Sequence, residues 1–270
     1  MKIFLFFTLV FSTQAFAKRY IVPQDKDVLI NINHLDSSKE IYPLNIKVLI
    51  WNIYKGENKS WEKDYKDYSY KKDLLLLQEA HLNQNMLSVF SETKDFSYIF
   101  ATSWIDTKDK NTASGIATAS NSTSVETNWQ RSYYREPYLK TPKMTLFTKY
   151  KLAGTNEELL VGNIHAINFV KAYKLRHMLE KAAEVISKHK GPVLFAGDFN
   201  TWTQTKLNNM NAIFKKLGME SIQFKDDVRK RFRGNILDHA WVRGLNIQSS
   251  RVTKTLGSDH APIFLELGIY

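Results

Sequence analysis

The sequence predicts an α/β protein, and three features carry that prediction. Short apolar runs suited to strands buried on both faces recur at Ile46–Trp51, Leu74–Leu77, Leu159–Ile164 and Val193–Ala196. The strongest helical periodicity, Tyr173–His189, leads directly into the last of these runs. No Pro/Gly/Ser-rich linker, low-complexity tract or internal repeat divides the 270 residues, so a single large core is expected.

The N-terminus reads separately. Lys2 precedes the run Ile3–Phe11, apolar except for Thr8, and Ala15-Phe16-Ala17 offers small residues where a signal peptidase reads. Residues 1–17 are therefore expected to be a secretory leader, since so short a run cannot span the ~30 Å of a bilayer as a helix. The remaining protein would be soluble and exported, to a periplasm or the medium. Cysteine is absent, which excludes disulfides, thiolate metal sites and a cysteine nucleophile. The formal charge of +11, lowered by one if Lys2 leaves with the leader, favours polyanionic partners such as nucleic acid or an anionic membrane surface. Basicity that serves only solubility is the plain alternative.

Taken in order, residues 18–45 read as an N-terminal arm with one strand pattern, Val28–Asn33, and the folded domain as 46–270. Strand Ile46–Trp51 ends on Asn52. Trp61–Lys72 is a polar, aromatic helix, and Leu74–Leu77 a central strand from which Gln78 and Glu79 emerge. A short helix around Met86–Phe90 precedes strands at Tyr98–Thr102 and Ser114–Ala119, a turn at Ser120–Ser124, and a further strand at Lys143–Thr148. Leu159–Ile164 ends on His165, with Asn168 three residues on. After Tyr173–His189, the buried run Val193–Ala196 is closed by Gly197 and delivers Asp198 and Asn200 to one side, while Phe199 turns to the core. An ordinary strand followed by an Asx-turn would look the same. Thr201–Leu217 is a second helix with core spacing. Phe224–Arg233 holds five basic residues in ten, facing a polyanion or water. Asp238 lies inside the strand Ile236–Val242, where a carboxylate needs a partner. His260, in Gly257-Ser258-Asp259-His260-Ala261-Pro262 before the last strand, Ile263–Leu267, is the economical one.

Asn52, Glu79, His165, Asn168, Asp198, Asn200, Asp238, Asp259 and His260 thus all fall at strand ends. If those ends lie together they form one acidic cleft with two imidazoles. Several carboxylates without thiolates select a hard cation, Mg²⁺ with Mn²⁺ and Ca²⁺ as alternatives, and no closely spaced histidine pair supports zinc. Metal-assisted attack of water on a phosphoester is the reaction class that follows.

Trp51-Asn52, Gln78-Glu79, His165 with Asn168, Gly197-Asp198-Phe199-Asn200, Leu237-Asp238-His239 and Ser258-Asp259-His260, in that order, resemble the endonuclease/exonuclease/phosphatase superfamily. That group includes pancreatic-type DNase, exonuclease III-like AP endonucleases, neutral sphingomyelinases and inositol polyphosphate 5-phosphatases. The segments 48–55, 163–169 and 243–246 look most like its bacterial YafD-like branch. The resemblance implies a four-layer α/β sandwich, two packed mixed β-sheets flanked by helices. It also implies roles. Glu79, helped by Asn52 and Asp259, would hold the metal, and Asp198 would orient or deprotonate water. Asn200 and Asn168 would bind phosphate, and His165 would contact it or assist the leaving group. Asp238 would pair with His260. Arg135, in an Arg-Glu-Pro segment similar to one in DNase-type members, is a further substrate-binding candidate. The chain departs from the pattern at His239, where nucleases of the group carry Arg or Tyr. It also lacks the cysteines of secreted DNases and any insertion long enough for a lesion-recognition loop or a membrane-inserting hairpin.

The first expectation is therefore an exported Mg²⁺-dependent phosphodiesterase cleaving DNA or RNA, with Arg131, Arg135 and the basic residues of 225–233 as phosphate contacts. The second is a phosphoesterase acting on phospholipid headgroups or inositol phosphates. Trp104, Trp129, Tyr133 and Tyr134 could serve either, or simply pack. A third class, a binding module that has lost activity, is argued against by the intact Glu79, Asp198, Asp259 and His260. No protein partner is implied.

Overall fold

A computed structural model describes residues 18–35 and 39–269; the leader expected over 1–17 lies outside them. The first six strands, β1 (Tyr20–Ile21), β2 (Leu29–Ile32), β3 (Ile46–Asn52), β4 (Leu74–His81), β5 (Ser97–Asp106) and β6 (Thr112–Ser120), all enter one sheet. The next four, β7 (Ser124–Arg131), β8 (Met144–Lys151), β9 (Glu158–His165) and β10 (Val193–Asp198), start a second. β11 (Glu220–Ser221) and β14 (Asp238–Arg243) join that second sheet, and β12 (Arg231–Phe232) and β13 (Asn235–Ile236) form a small hairpin. β15 (Asn246–Val252) and β16 (Ile263–Gly268) return to the first. Helices α1 (Trp61–Ser69), α2 (Gln84–Glu92), α3 (Ala172–Lys188) and α4 (Gln204–Lys215) complete the chain.

Both sheets are mixed. Each contains one parallel pair joined by a helical crossover, β3–α1–β4 in the first and β9–α3–β10 in the second. Strand alternation then builds the layers. Val48, Ile50, Leu74 and Leu76 meet Leu159, Val161, Leu194 and Ala196 between the sheets. Their neighbours Leu49, Trp51, Leu75 and Leu77 face outward onto Trp61, Tyr65, Met86 and Phe90 of α1 and α2. On the far side Leu160, Val193 and Phe195 face Leu175, Leu179, Met210 and Phe214 of α3 and α4. This is the four-layer sandwich, and it explains why the central strands read as unbroken apolar runs: both of their faces are covered.

Three elements differ from the sequence expectation. The arm does not stand apart, because β1 and β2 pair antiparallel with β5 and extend the first sheet. β7 and β15 show no apolar run because they are edge strands, largely exposed on one side. Among the described residues no helix is long and apolar enough to cross a membrane.

Beneath one edge of the sandwich a polar tie joins the sheets. Asn163 of β9 donates to the carbonyls of Leu77 and Ala117 at 3.2 and 2.9 Å, and accepts from Gln78 Nε2 at 2.7 Å. These residues are fully buried, so the bonds form away from competing water and fix how the ends of β4 and β9 face each other. The next inward-facing residue of β9 after Asn163 is His165.

Candidate active site

The inward rows that form the inter-sheet core continue past it at this edge with polar residues. Asn52 follows Val48 and Ile50, Asp198 follows Leu194 and Ala196, and His165 follows Val161 and Asn163. In the second sheet Asp198 pairs in register with His165 on one side and Asp238 on the other, so three chemical side chains stand side by side in one row. Glu79 breaks the alternation. By strict parity it belongs with Leu75 and Leu77 on the outer face, but β4 is bulged between Leu77 and Ala80 and Glu79 sits at φ 53. A bulge re-aims a side chain, and here it turns the carboxylate into the cleft. Gly197 is required for a similar reason. Its φ is 139 and a Cβ there would lie 2.1 Å from the Ile164 carbonyl oxygen.

The result is a cleft of about 470 Å³ lined by Glu79, His165, Asn168, Asp198, Asn200, Asp259 and His260. Asn52 Nδ2 donates to Glu79 Oε1 at 3.2 Å and to Asp198 Oδ2 at 3.1 Å, drawing the two carboxylates together across the sheets. His165 Nε2 lies 3.8 Å from Glu79 and 3.7 Å from Asp198. His260 Nδ1 bonds Asp238 at 2.8 Å. The loop carrying His260 is pinned to the first sheet. Trp51 Nε1 donates to the His260 carbonyl at 3.0 Å, and Ser258 Oγ donates to the Asn52 carbonyl at 2.6 Å and accepts from His260 N–H. Asp238 is fixed through its own carbonyl, which accepts from the buried Arg229 at 3.0 Å.

Burial sets the charges. The Asp198 carboxyl is pushed up to about 7, first by desolvation and then by the Asp238 carboxylate, against the pull of His260. For His260, desolvation acts downward, but the charge and hydrogen bond of Asp238, with Asp198 and Asp259 adding to them, carry it up to about 10. It is an imidazolium at neutral pH. His165 is held well below the ordinary histidine range by burial, then by Lys143 and His260, and stays neutral. One imidazole is thus a fixed cation and the other a neutral hydrogen-bonding ring.

The structure places the remaining expected residues less uniformly. Asn200, at φ 51, uses Nδ2 on the Ala166 carbonyl, while its N–H donates to Asp198 Oδ1 at 3.0 Å. Asn168 accepts from Trp202 Nε1 at 2.8 Å and from Phe169 N–H, which leaves its amide nitrogen to offer the cleft. Asn52 has Oδ1 on the Tyr54 N–H, so it faces the carboxylates as a donor. Asp259 lines the cleft but is half-exposed and ion-paired to Lys230 at 2.8 Å, outside the group formed by Glu79, His165 and Asp198.

Arg135 is not brought to the site: it is exposed, and its guanidinium donates to the Lys140 carbonyl. Its neighbour Glu136 occupies the cleft instead, accepting from Asn168 N–H at 2.9 Å and pairing with Lys143 at 3.6 Å. Arg131 turns to Asp25, and Arg229 is an interior residue chelated by Asp227. His239 faces outward by alternation, hydrogen-bonded to Thr201 and held down at about 3 by burial and then Arg229. Of the aromatics, Trp104 lines the cleft, Trp129 packs on the core beside β6 and β8, and Tyr133 and Tyr134 contact His177 of α3. Sequence reasoning missed Lys55, Lys143, Phe169, Trp202 and Phe232, which also line the cleft. Lys55 and Phe169 fall within the segments 48–55 and 163–169 and Trp202 two residues after Asn200, so only Lys143 and Phe232 stood apart from the motifs.

The donor set fits a hard divalent cation. Ligand atoms of Glu79, His165 and Asp198 all lie within 4.8 Å of one another, and the Asp198 carboxyl, raised by burial and then by the Asp238 carboxylate, is a group that a bound cation would favour in its charged form. Glu79 and Asp198 would hold the ion, which when bound supplies positive charge beside a phosphoryl oxygen. The chain's own groups do the rest. Asp198 is placed to accept a proton from water, the His260 imidazolium to donate to a phosphoryl oxygen, and the Asn168 amide to position that phosphoryl group.

A two-sheet sandwich with this row of groups at its open edge defines a class, and comparison with known proteins agrees. The model of the Endonuclease/Exonuclease/phosphatase family matches residues 49–260, and the chain belongs to that family of metal-dependent phosphoric ester hydrolases. It is 33% identical over 228 residues to a "UPF0294 protein" of Vibrio campbellii, covering 82% of this chain and 76% of that one. Among solved structures, the endonuclease/exonuclease/phosphatase of Bacteroides vulgatus superposes with a TM-score of 0.66 at 13% identity, covering 84% of this chain and 99% of its own. The human Nocturnin catalytic domain, solved with a bound sulfate anion, gives 0.61 at 17% identity, covering 86% and 97%. At these identities the structural likeness shows the fold alone.

Proposed function

We propose that the protein is an exported, Mg²⁺-dependent phosphoesterase acting on a compact phosphoester group such as a phospholipid headgroup or an inositol phosphate. The reading is carried by one observation: a row of Asp198, His165 and Asp238 in the second sheet faces Glu79 and Asn52 of the first across a cleft of limited volume. Of the arginines that sequence nominated for a long polyanion, Arg131, Arg135, Arg229 and Arg231 are spent on local contacts and Arg233 lies over the Trp202 and Phe232 rings, and the basic side chains that line the cleft with His260 are lysines. Export rests on the leader pattern of residues 1–17. The second reading, a nuclease acting on DNA or RNA, is favoured by the formal charge of +11.

Release of phosphorylated headgroup from mixed micelles, hydrolysis of bis(p-nitrophenyl) phosphate and plasmid nicking, each with Mg²⁺ or EDTA, test both. Mg²⁺-dependent headgroup release without nicking supports the first reading, and nicking without release the second. Absence of any Mg²⁺-dependent turnover, or turnover indifferent to Asp198→Ala, would end both.

A further inference from the structure

Around the mouth of the cleft three loops carry exposed aromatic and aliphatic side chains that no core requires. Tyr138 is 79% exposed and Leu139 42%; Phe169 is 53% exposed and Phe232, in the β12–β13 hairpin, 42%. They are not scattered. Tyr138 meets Phe169 at 5.8 Å between ring centroids, Phe169 meets Trp202 at 6.4 Å, and Trp202 meets Phe232 at 5.8 Å, a continuous crown along one side of the cleft. Phe169 is presented from a left-handed backbone, φ 52, which a phenylalanine adopts only at a cost. A strained residue that displays an apolar ring to solvent serves something other than the core.

Interleaved with the crown are cations that have no carboxylate partner among the described residues. Lys140 follows Leu139, Lys171 lies two residues beyond Phe169, and Arg233 rests over Trp202 and Phe232 at 5.4 and 5.7 Å. Aromatic rings and basic side chains together suit two polyanions, a single-stranded nucleic acid or an anionic bilayer. The ring geometry separates them. Stacked bases need open, parallel ring faces, whereas these rings meet at 77°, 44° and 89°. Trp202 in addition already holds two cations over its ring, the buried Lys206 at 4.1 Å and Arg233. What the crown offers is apolar edges and cations, the combination that enters the headgroup zone of a membrane.

We infer that this crown is a docking surface for an anionic phospholipid bilayer, seating the mouth of the cleft against the headgroups. The inference rests on the reading of the cleft as a phosphoester site and adds where its substrate is met. It needs no long insertion, because the three loops already stand along one side of the mouth.

Vesicle sedimentation of the chain beginning at Lys18 tests it; among the described residues the two large sheets and the four helices lie between Tyr20 and Gly268. With EDTA present, the protein should sediment with phosphatidylcholine vesicles containing about a third phosphatidylglycerol and far less with phosphatidylcholine alone, each rim lysine contributing roughly fivefold. Tyr138→Ser combined with Phe169→Ser should weaken binding at least about tenfold, and Lys140→Glu with Lys171→Glu by about 25-fold or more at low salt. Hydrolysis of soluble bis(p-nitrophenyl) phosphate should be unchanged in Tyr138→Ser and in Lys140→Glu. Vesicle binding that is absent, or that survives both double variants, overturns the inference while soluble hydrolysis still stands. Loss of single-stranded oligonucleotide binding in the same variants, with no vesicle binding, would make the crown a nucleic-acid surface instead. Loss of soluble hydrolysis in wild type would strike the reading of the cleft and not the crown.

Discussion

At the floor of the cleft the functional side chains are buried and hold one another: Asn52 bridges Glu79 and Asp198, and His260 pairs with Asp238. At the rim they are exposed and held by ring contacts and a strained backbone, as Phe169 is. The difference teaches where selection of geometry lies. The floor is fixed by strand register, since Asp198, His165 and Asp238 are hydrogen-bonded neighbours in one sheet, so its chemistry is pre-organised before any substrate arrives. The rim belongs to loops, which can change without disturbing that register.

The largest expected effect tests the floor. Asp198→Asn keeps the shape and removes the proton acceptor, so the rate on bis(p-nitrophenyl) phosphate should fall about 10³–10⁴-fold. The same variant should be more stable. Burial raises the folded-state carboxyl from 3.8 to about 7, so the folded state keeps a proton that the unfolded state has released in that interval. Wild-type stability is therefore eroded as pH rises from about 4 to 7, by up to roughly 4 kcal/mol, the attraction to His260 being already contained in the value of about 7. Thermal unfolding in EDTA should show the variant's advantage near zero at pH 4 and greatest above pH 7. An advantage independent of pH would mean that Asp198 is not held as the structure places it.

Next in size is Asp238→Asn. His260 owes its imidazolium state to Asp238, and with only burial and more distant acids left it should return toward the ordinary histidine value. Because the folded value is raised, the charged ring and its stabilisation are present below about 6.5 and lost as pH climbs through about 10. In the variant the alkaline limb of the pH–rate profile should move down by about two to three pH units, with a loss at pH 8 of about two- to tenfold. An unmoved limb would remove His260 from the role of fixed cation.

Much of the floor was legible in the chain, and the reason is geometric. A strand buried on both faces must be apolar throughout, so a polar residue at its end, such as Asn52, His165 or Asp198, stands out against it. What the chain could not display was register and local twist. Glu79 sits on the wrong parity and reaches the cleft only through a bulge. Asp259 and Arg135 lie in matching motifs yet turn to Lys230 and to the Lys140 carbonyl, because loop side chains follow their nearest partner and not a period. The edge strands β7 and β15 were invisible for want of a buried face, and the crown because each aromatic alone is an ordinary loop residue.

The smallest expected effect is at the rim, and its sign separates the two regions most sharply. Phe169 holds φ 52, where a side chain costs about 1–2 kcal/mol that glycine does not incur. Its ring is largely solvent-exposed, so truncation forfeits only part of its contact with Tyr138 and Trp202, worth about 0.5–1.5 kcal/mol for each aromatic pair when fully made. Glycine also loses more freedom on folding, which takes back part of the relief. Phe169→Gly should thus leave the unfolding free energy within about 1 kcal/mol of wild type. The paired Asp238 of the floor has no such latitude, since removing one partner of the buried Asp238–His260 pair costs roughly 3–5 kcal/mol. Calorimetry finding Phe169→Gly destabilised on that larger scale would show the ring to be a structural staple, and the strain would then need no ligand to explain it.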